Sequence, residues 1–196
     1  MATPVAHSLI GLAGAMVTGS RADLNIKAWY MFLMVAANAP DLDLLPGLLV
    51  GDINRFHQGA SHSLAAGLLF GIFTVFVVRV FRWKVNAYFV GIIGAVLYLS
   101  HLLVDLQVED LRAPFGIPLL APFSSEHFLV SWLPFQGVRH GVPGDSVVEF
   151  AMGLFSWNNL GVIGVELAIT APLLIVAWII SRPNNRLMRR NITKEN

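Results

Sequence analysis

The sequence contains no cysteine. That absence removes disulfides, Cys-ligated structural zinc and thiol nucleophiles together. Charge is almost as scarce: 13% of the 196 residues are Asp, Glu, Lys or Arg, against about 25% in soluble domains. Hydrophobic residues make up 56% and mean hydropathy is +0.66, so the chain reads as a membrane protein. A net charge of +1 offers no electrostatic footprint for nucleic acid. No basic residue precedes the first apolar stretch, and the first is Arg21. A secretory signal has the reverse order, so the N-terminus is expected to be retained and to face outward. A Gly-x-Ser-x-Gly elbow and a phosphate-cradling glycine loop are both missing, which places serine chemistry behind metal chemistry. Repeats and low-complexity tracts are absent too, and the length suits a single domain, 1–196.

What is present is five apolar segments, at residues 8–18, 28–39, 64–81, 87–106 and 160–180. The last three have the roughly 20-residue length that a bilayer core needs. The first two, at about 1.5 Å per residue, reach about 18 Å of a core about 30 Å thick, so a short hairpin is expected there. Gly11, Ala15 and Gly19 recur every fourth residue, as do Gly67 and Gly71; small residues at that spacing let helix backbones approach closely. The fold class is therefore all-α, a polytopic membrane bundle of about five segments. Residues 145–157 carry Val147, Val148, Ala151, Leu154 and Phe155 on one stripe. They read as a helix lying in the membrane interface or packed as a lid on the bundle, ended by Trp157-Asn158-Asn159.

Ten of the thirteen Lys and Arg share one side if the segments alternate: Arg21, Lys27, Arg79, Arg82, Lys84, Arg182, Arg186, Arg189, Arg190 and Lys194. The positive-inside rule makes that side cytoplasmic. The N-terminus then lies outside and the C-terminus inside. Two long connections, residues 40–63 and 107–159, face out.

The chemistry-bearing residues stand at the outer ends of the apolar segments. His101 and Asp105 are four apart and share a helix face. His57 and His62 flank a Gln-Gly-Ala-Ser turn, with Ser61 the expected N-cap of the third segment. Pro40 is expected to end the second segment, after which Asp41 and Asp43 stand at the interface, where carboxylates can bridge two cations. His7 precedes the first segment at the same level. Ionisable groups are costly in a membrane and mark function there. Mixed His and Asp ligands suit zinc, manganese or ferrous iron. Such ions lower the pKa of water and polarise phosphoryl oxygens. Glu126, His127, Arg139 and His140 lie in the long outer loop and read first as ordinary loop residues. Asp52 and Arg55 read as a simple pair, and Glu166 as either a buried partner or a cavity residue.

His7-Ser8-Leu9-Ile10-Gly11, Pro40-Asp41-Leu42-Asp43, His57-Gln58-Gly59-Ala60-Ser61-His62-Ser63 and His101-Leu102-Leu103-Val104-Asp105 resemble, in this order, the motifs of the YdjM-like (DUF457) family. The stretch from Phe115 to Phe123 resembles the family's next segment. The resemblance implies a membrane-bound metal-dependent hydrolase. The family is also distantly similar to zinc-dependent phospholipase C and the P1-type nucleases, which implies a multinuclear zinc site that hydrolyses phosphate esters. The chain departs from the family pattern at Gln58, where a basic residue is frequent; if that base holds a phosphate, Arg55 or Arg112 replaces it here, or the substrate differs.

The expected function is hydrolysis of a phosphoester in a membrane lipid or lipid-linked substrate, at the outer face of the cytoplasmic membrane. His7, Asp41, Asp43, His57, His62, His101 and Asp105 are expected to hold one to three ions, Zn2+ foremost with Mn2+ or Fe2+ as alternatives. Asp43, His62 and Asp105 are the expected catalytic residues, and Arg55 and Arg112 the expected substrate contacts. The rival readings are a metal or proton transporter, which needs ionisable groups through the full depth of the bundle, and a partner-binding protein with a closed structural metal.

Overall fold

The computed structural model describes residues 1–19, 25–110, 113–130, 132, 134–139 and 146–192, with side chains described to Arg182. Among the described residues seven α-helices run in chain order: α1 Pro4–Thr18, α2 Ile26–Asn38, α3 Leu44–Leu49, α4 Leu64–Val80, α5 Ala87–Asp105, α6 Val147–Leu154 and α7 Trp157–Ile192. All five apolar segments of the sequence are helical, and no strand occurs among the described residues beyond two isolated bridges between α5 and α6. Neighbouring helices pack in the order α7, α1, α2, α5, α4, with α1 also reaching α5.

Glycines set the closest approaches. A Cβ at Gly11 would stand 2.7 Å from the Leu33 carbonyl oxygen on α2, and one at Gly91 would stand 2.8 Å from the Gly71 carbonyl oxygen on α4. Trp29, Leu33, Val78, Val90 and Leu97 form the core between these helices. The outward faces of α4 and α7 stay apolar and exposed, with Ile72, Phe73, Phe76, Ile175 and Val176 among them. In water such surfaces would be a liability; against lipid tails they are the expected exterior.

Three stretches are long and apolar enough to cross a membrane: Ile26–Leu49, Ala87–Asp105 and Trp157–Arg182. A fourth arises if Ile53–His62 and Leu64–Val80, bent by 81°, form one broken span. This count differs from the expected five. The 15-residue α1 covers only about 22 Å, so it is a short inner helix. The second segment is longer than expected, because Pro40 does not stop it. Pro40 enters the 3-10 turn Ala39–Asp43 in its first turn, where its missing N–H is no loss, and α3 resumes directly.

Two further local expectations change. Ser63, not Ser61, caps α4: its side chain accepts from the Ala66 amide at 3.2 Å. The outer-loop helix α6 ends at Leu154, and Trp157 opens α7 instead of closing α6. Asn159 explains the break, since its Nδ2 donates to the Gly153 carbonyl at 2.9 Å and thereby stitches the end of α6 to the start of α7. At its other end α6 starts with a capping box between Ser146 and Glu149. The Ser146 amide and hydroxyl hold the Glu149 carboxyl below its ordinary pKa. No residue of α6 is buried, and Val148, Met152 and Phe155 are exposed, which fits an interfacial helix better than a packed lid. Asp145, Arg21, Arg112 and His140 lie outside the described residues.

Candidate metal centre

Each chemistry-bearing residue reaches the centre through a helix end. Thr3 caps α1 and Pro4 opens it, placing His7 in the first turns, fully buried. The 3-10 turn after α2 carries Asp41 and Asp43. His57 leaves a second short 3-10 turn in extended conformation. Gln58 follows with φ 59°, and the 3-10 turn Ala60–His62 delivers His62 just before α4. His101 and Asp105 come from the last turns of α5. The packing order of the helices thus sets four separate chain segments around one point.

Four atoms face one another there. His62 Nε2 lies 3.5 Å from Asp41 Oδ1 and 3.5 Å from Asp105 Oδ2. His101 Nε2 lies 3.4 Å from Asp41 Oδ1 and 3.3 Å from Asp105 Oδ2. All four atoms are buried and none has a hydrogen-bond partner among the described residues. Zinc bonds of about 2.0–2.1 Å in a tetrahedron put neighbouring ligand atoms about 3.3–3.4 Å apart. The spacing is too long for hydrogen bonds and right for a shared cation. Asp41, His62, His101 and Asp105 therefore form a group that could hold a metal ion.

The imidazole tautomers are set from behind. His101 Nδ1 is 2.9 Å from the Ala37 carbonyl oxygen, one of the unpaired carbonyls at the end of α2. A carbonyl only accepts, so Nδ1 carries the proton and Nε2 its lone pair toward the centre. His62 Nδ1 is 3.2 Å from Asp43 Oδ2, with the same result for its Nε2. A carboxylate behind a ligating histidine is the usual way to fix ring orientation and raise basicity. Asp43 also accepts from Ser61 Oγ at 2.6 Å and from His57 Nδ1 at 2.8 Å. Asp43, His57 and His62 come close enough to form a second candidate group. Their distances are those of hydrogen bonds, though, and Asp43 is placed as an orienting carboxylate between two rings. Tyr98 donates to the Ser61 carbonyl at 2.6 Å, pinning that turn to α5.

His7 stacks on His101, with centroids 3.7 Å apart, and its Nε2 lies 3.6 Å from Asp105 Oδ1. Neither of its ring nitrogens has a hydrogen-bond partner among the described residues. The Ala2 amide donates to the same Asp105 oxygen at 2.9 Å. The Met1 thioether packs against His57 Nε2. Buried Glu166 of α7 takes hydrogen bonds from the Thr3 amide, at 2.6 Å, and from the Thr3 hydroxyl. Glu166 is thus a buried partner that holds the start of α1, which settles the choice left open by the sequence. Residues 1–3, Ser61 and the Ala37 carbonyl were absent from the expected set. Ser61 alone had a visible signal, as the hydroxyl beside His62.

Arg55 is exposed and makes no side-chain ion pair with Asp52 or any other described carboxylate; only its backbone amide bonds the Asp52 carbonyl, at 3.2 Å. It lines a small polar pocket with His57 and His127. Arg139 lies apart, bound through its backbone to Asn159. Glu126 is exposed in the loop.

No curated protein and no solved structure matches the chain. The YdjM inner membrane protein family matches residues 1–184. That span contains every residue named in the centre, and the chain belongs to the YdjM inner membrane protein family.

Proposed function

We propose that this protein is a membrane-embedded metal-dependent hydrolase that cleaves a phosphoester of a lipid or lipid-linked substrate at the outer face of the cytoplasmic membrane. The observation that carries the reading is the set of four buried, unpartnered N and O atoms at tetrahedral spacing. Asp41, His62, His101 and Asp105 would hold one dication, with Zn2+ favoured by the two imidazoles. Bound there, such a cation supplies Lewis acidity, lowering the pKa of water and polarising a phosphoryl oxygen.

Four protein ligands close a tetrahedron, whereas catalytic sites keep a position open. His7 Nε2 and Asp105 Oδ1, 3.6 Å apart, would be the residues able to hold a second cation. Asp41 Oδ2 is also buried without a partner and is the carboxylate oxygen able to take a proton from an attacking water. Asp43, whose two oxygens already accept three hydrogen bonds, orients His62 and His57.

A lipid-linked substrate is supported by the membrane setting: the centre sits at the ends of helices whose outer faces are apolar and exposed. The outward orientation rests on charge. Lys27, Arg79, Arg82 and Lys84 lie at the opposite ends of the helices from the centre, and that end is cytoplasmic by the positive-inside rule. A transport role gains no support, because the buried ionisable groups (His7, His57, His62, His101, Asp105 and Glu166) gather at one end of the bundle. The test is elemental analysis of purified protein, followed by a panel of phospholipids and polyprenyl phosphates assayed for released phosphate or headgroup. Stoichiometric zinc that His101→Ala loses, with release abolished in the same variant, is the expected result. Equal metal content in wild type and His101→Ala would end the hydrolase reading.

A further inference from the structure

The polar pocket beside the metal centre has a volume of 170 Å3 and is lined by Asn54, Arg55, His57, Gln58, Gly116 and His127, with Ala113 and Pro114. Five of these side chains are polar and none is a carboxylate, so the pocket is shaped for an anion. Arg55 is exposed, with its guanidinium 5.7 Å from the Phe56 ring centroid and no described carboxylate in ion-pair range. A planar guanidinium of this kind suits phosphoryl oxygens in bidentate fashion. His127 Nδ1 is 3.1 Å from the Ser125 carbonyl oxygen, so Nδ1 donates there and Nε2 is left for a ligand. Gln58 holds a left-handed backbone, φ 59°, which non-glycine residues rarely adopt and which clusters where a side chain is used. Asp110 Oδ2 accepts from the Gly116 amide at 2.7 Å and fixes the far wall.

The pocket and the centre share a wall one imidazole thick. His57 lines the pocket, and its ring centroid is 5.4 Å from that of His62, which carries a centre-facing Nε2. Two anionic groups bound in these two places would be neighbours. The pocket lies on the loop side of the centre.

We infer that the Arg55–His127 pocket is a subsite for a second phosphoryl group, and that the substrate is a lipid diphosphate. This rests on the phosphoester reading above and specifies its substrate. The phosphoryl next to the hydrocarbon sits at the centre. Water adds across the P–O–P bridge: one phosphorus–oxygen bond forms, the bridging one breaks, and each product phosphate carries one of the two water-derived protons before ionising. The outer phosphate leaves with its charge met by Arg55, and a lipid monophosphate remains.

The test uses the full chain in detergent, with inorganic diphosphate, inorganic phosphate, and the diphosphate and monophosphate of one isoprenoid alcohol as probes. Arg55 and His127 are exposed, so Arg55→Ala and His127→Ala should fold and keep the wild-type metal content. Elemental analysis of the variants keeps failure of the pocket separate from failure of the centre. Each variant should weaken binding of inorganic diphosphate and of the lipid diphosphate about tenfold or more, with little effect on the two monophosphates. Arg55→Lys should restore part of the loss. Unchanged diphosphate binding in both variants would overturn the subsite. Equal losses on lipid mono- and diphosphate would place Arg55 on the attacked group and overturn the two-phosphoryl substrate. Inorganic diphosphate that the lipid diphosphate fails to displace would make the pocket a free-anion site, and that also overturns the inference.

Discussion

Asp43→Asn tests the centre without removing any of the four facing atoms. In the wild type Asp43 accepts from His62 Nδ1 at 3.2 Å, His57 Nδ1 at 2.8 Å and Ser61 Oγ at 2.6 Å. Asparagine keeps the shape but has one acceptor oxygen and a donating amide. It cannot accept from both rings. If the amide turns toward His62, the ring must take the other tautomer, and its Nε2 then presents a proton to the centre instead of a lone pair. Loss of the group behind a ligating histidine costs about 10–100-fold in metal affinity, equivalent to about 1.4–2.7 kcal/mol. Asp43→Asn should fall toward the lower figure and Asp43→Ala toward the higher, because alanine also strands Ser61 and His57. The assay is chelator competition for zinc on detergent-purified protein. Asp52→Asn, beyond α3 and outside the ligand groups, serves as the control and should leave Kd unchanged. A wild-type Kd for Asp43→Asn would refute the orienting role and with it the assignment of His62 Nε2 as a lone-pair donor.

Three other outcomes are expected. Zinc at 1,000 times its Kd should stabilise the protein by about 4 kcal/mol, read as a higher Tm, whereas magnesium, which prefers oxygen ligands and retains its waters, should do little; equal stabilisation by both would contradict the nitrogen-rich centre. Gly91→Ala places a Cβ 2.4 Å from Val75 Cγ2 and 2.8 Å from the Gly71 carbonyl oxygen, so it should cost about 1–3 kcal/mol by overpacking α4 against α5 and loosen zinc as His62 and His101 separate; Gly164→Ala, which meets nothing within 4 Å, should lower neither. Because the chain has no cysteine, Asp110→Cys and Arg190→Cys each create a unique thiol, and a membrane-impermeant reagent on intact cells or spheroplasts should label the first and spare the second; labelling of both, or of neither, would break the proposed orientation.

Much of this centre was legible in the sequence because helical geometry is local. His101 and Asp105 four residues apart had to share a face, and they meet at 3.3 Å. The small-residue spacing marked two helices, α1 and α4, whose backbones come close to a neighbour. The errors arose where two residues competed for one local role. Ser61 and Ser63 are both competent caps, and only the fold reveals that Ser61 is engaged by Asp43 while Ser63 takes the helix. Pro40 reads as a stop signal from the side of α2 and as a start signal from the side of the next turn. The number of crossings depends on whether the 81° bend before α4 lies within the membrane, a property of the bilayer as much as of the chain. What no local rule could supply is the long-range pairing of Thr3 with Glu166, 163 residues apart, or of Ala2 with Asp105. The first three residues thereby become part of the centre's frame.

The charge of the facing group gives a reason for its presence that is independent of any family. Asp41 and Asp105 contribute two negative charges, and His62 and His101 contribute lone pairs on Nε2, so one dication balances the set. Left without a cation, two carboxylates in a buried bundle would be costly. Replacing such buried ionic groups with well-packed apolar residues is often neutral or stabilising by about 1–4 kcal/mol. Packing alone would therefore favour leucine at these positions, as at Leu97 and Leu102 a turn away on α5. Their location carries the same implication. A ligand at mid-helix would be shut in by its own helix and its neighbours, whereas ligands at helix ends can use the carbonyl of Ala37 and the turn at Ser61 for support while the outer loop supplies a polar approach. The two aspartates illustrate the device. A 3-10 turn, with about three residues per turn, separates Asp41 from Asp43 by two residues, enough to aim one at the centre and the other behind His62. An α-helix continuing through these residues would not have kept that turn.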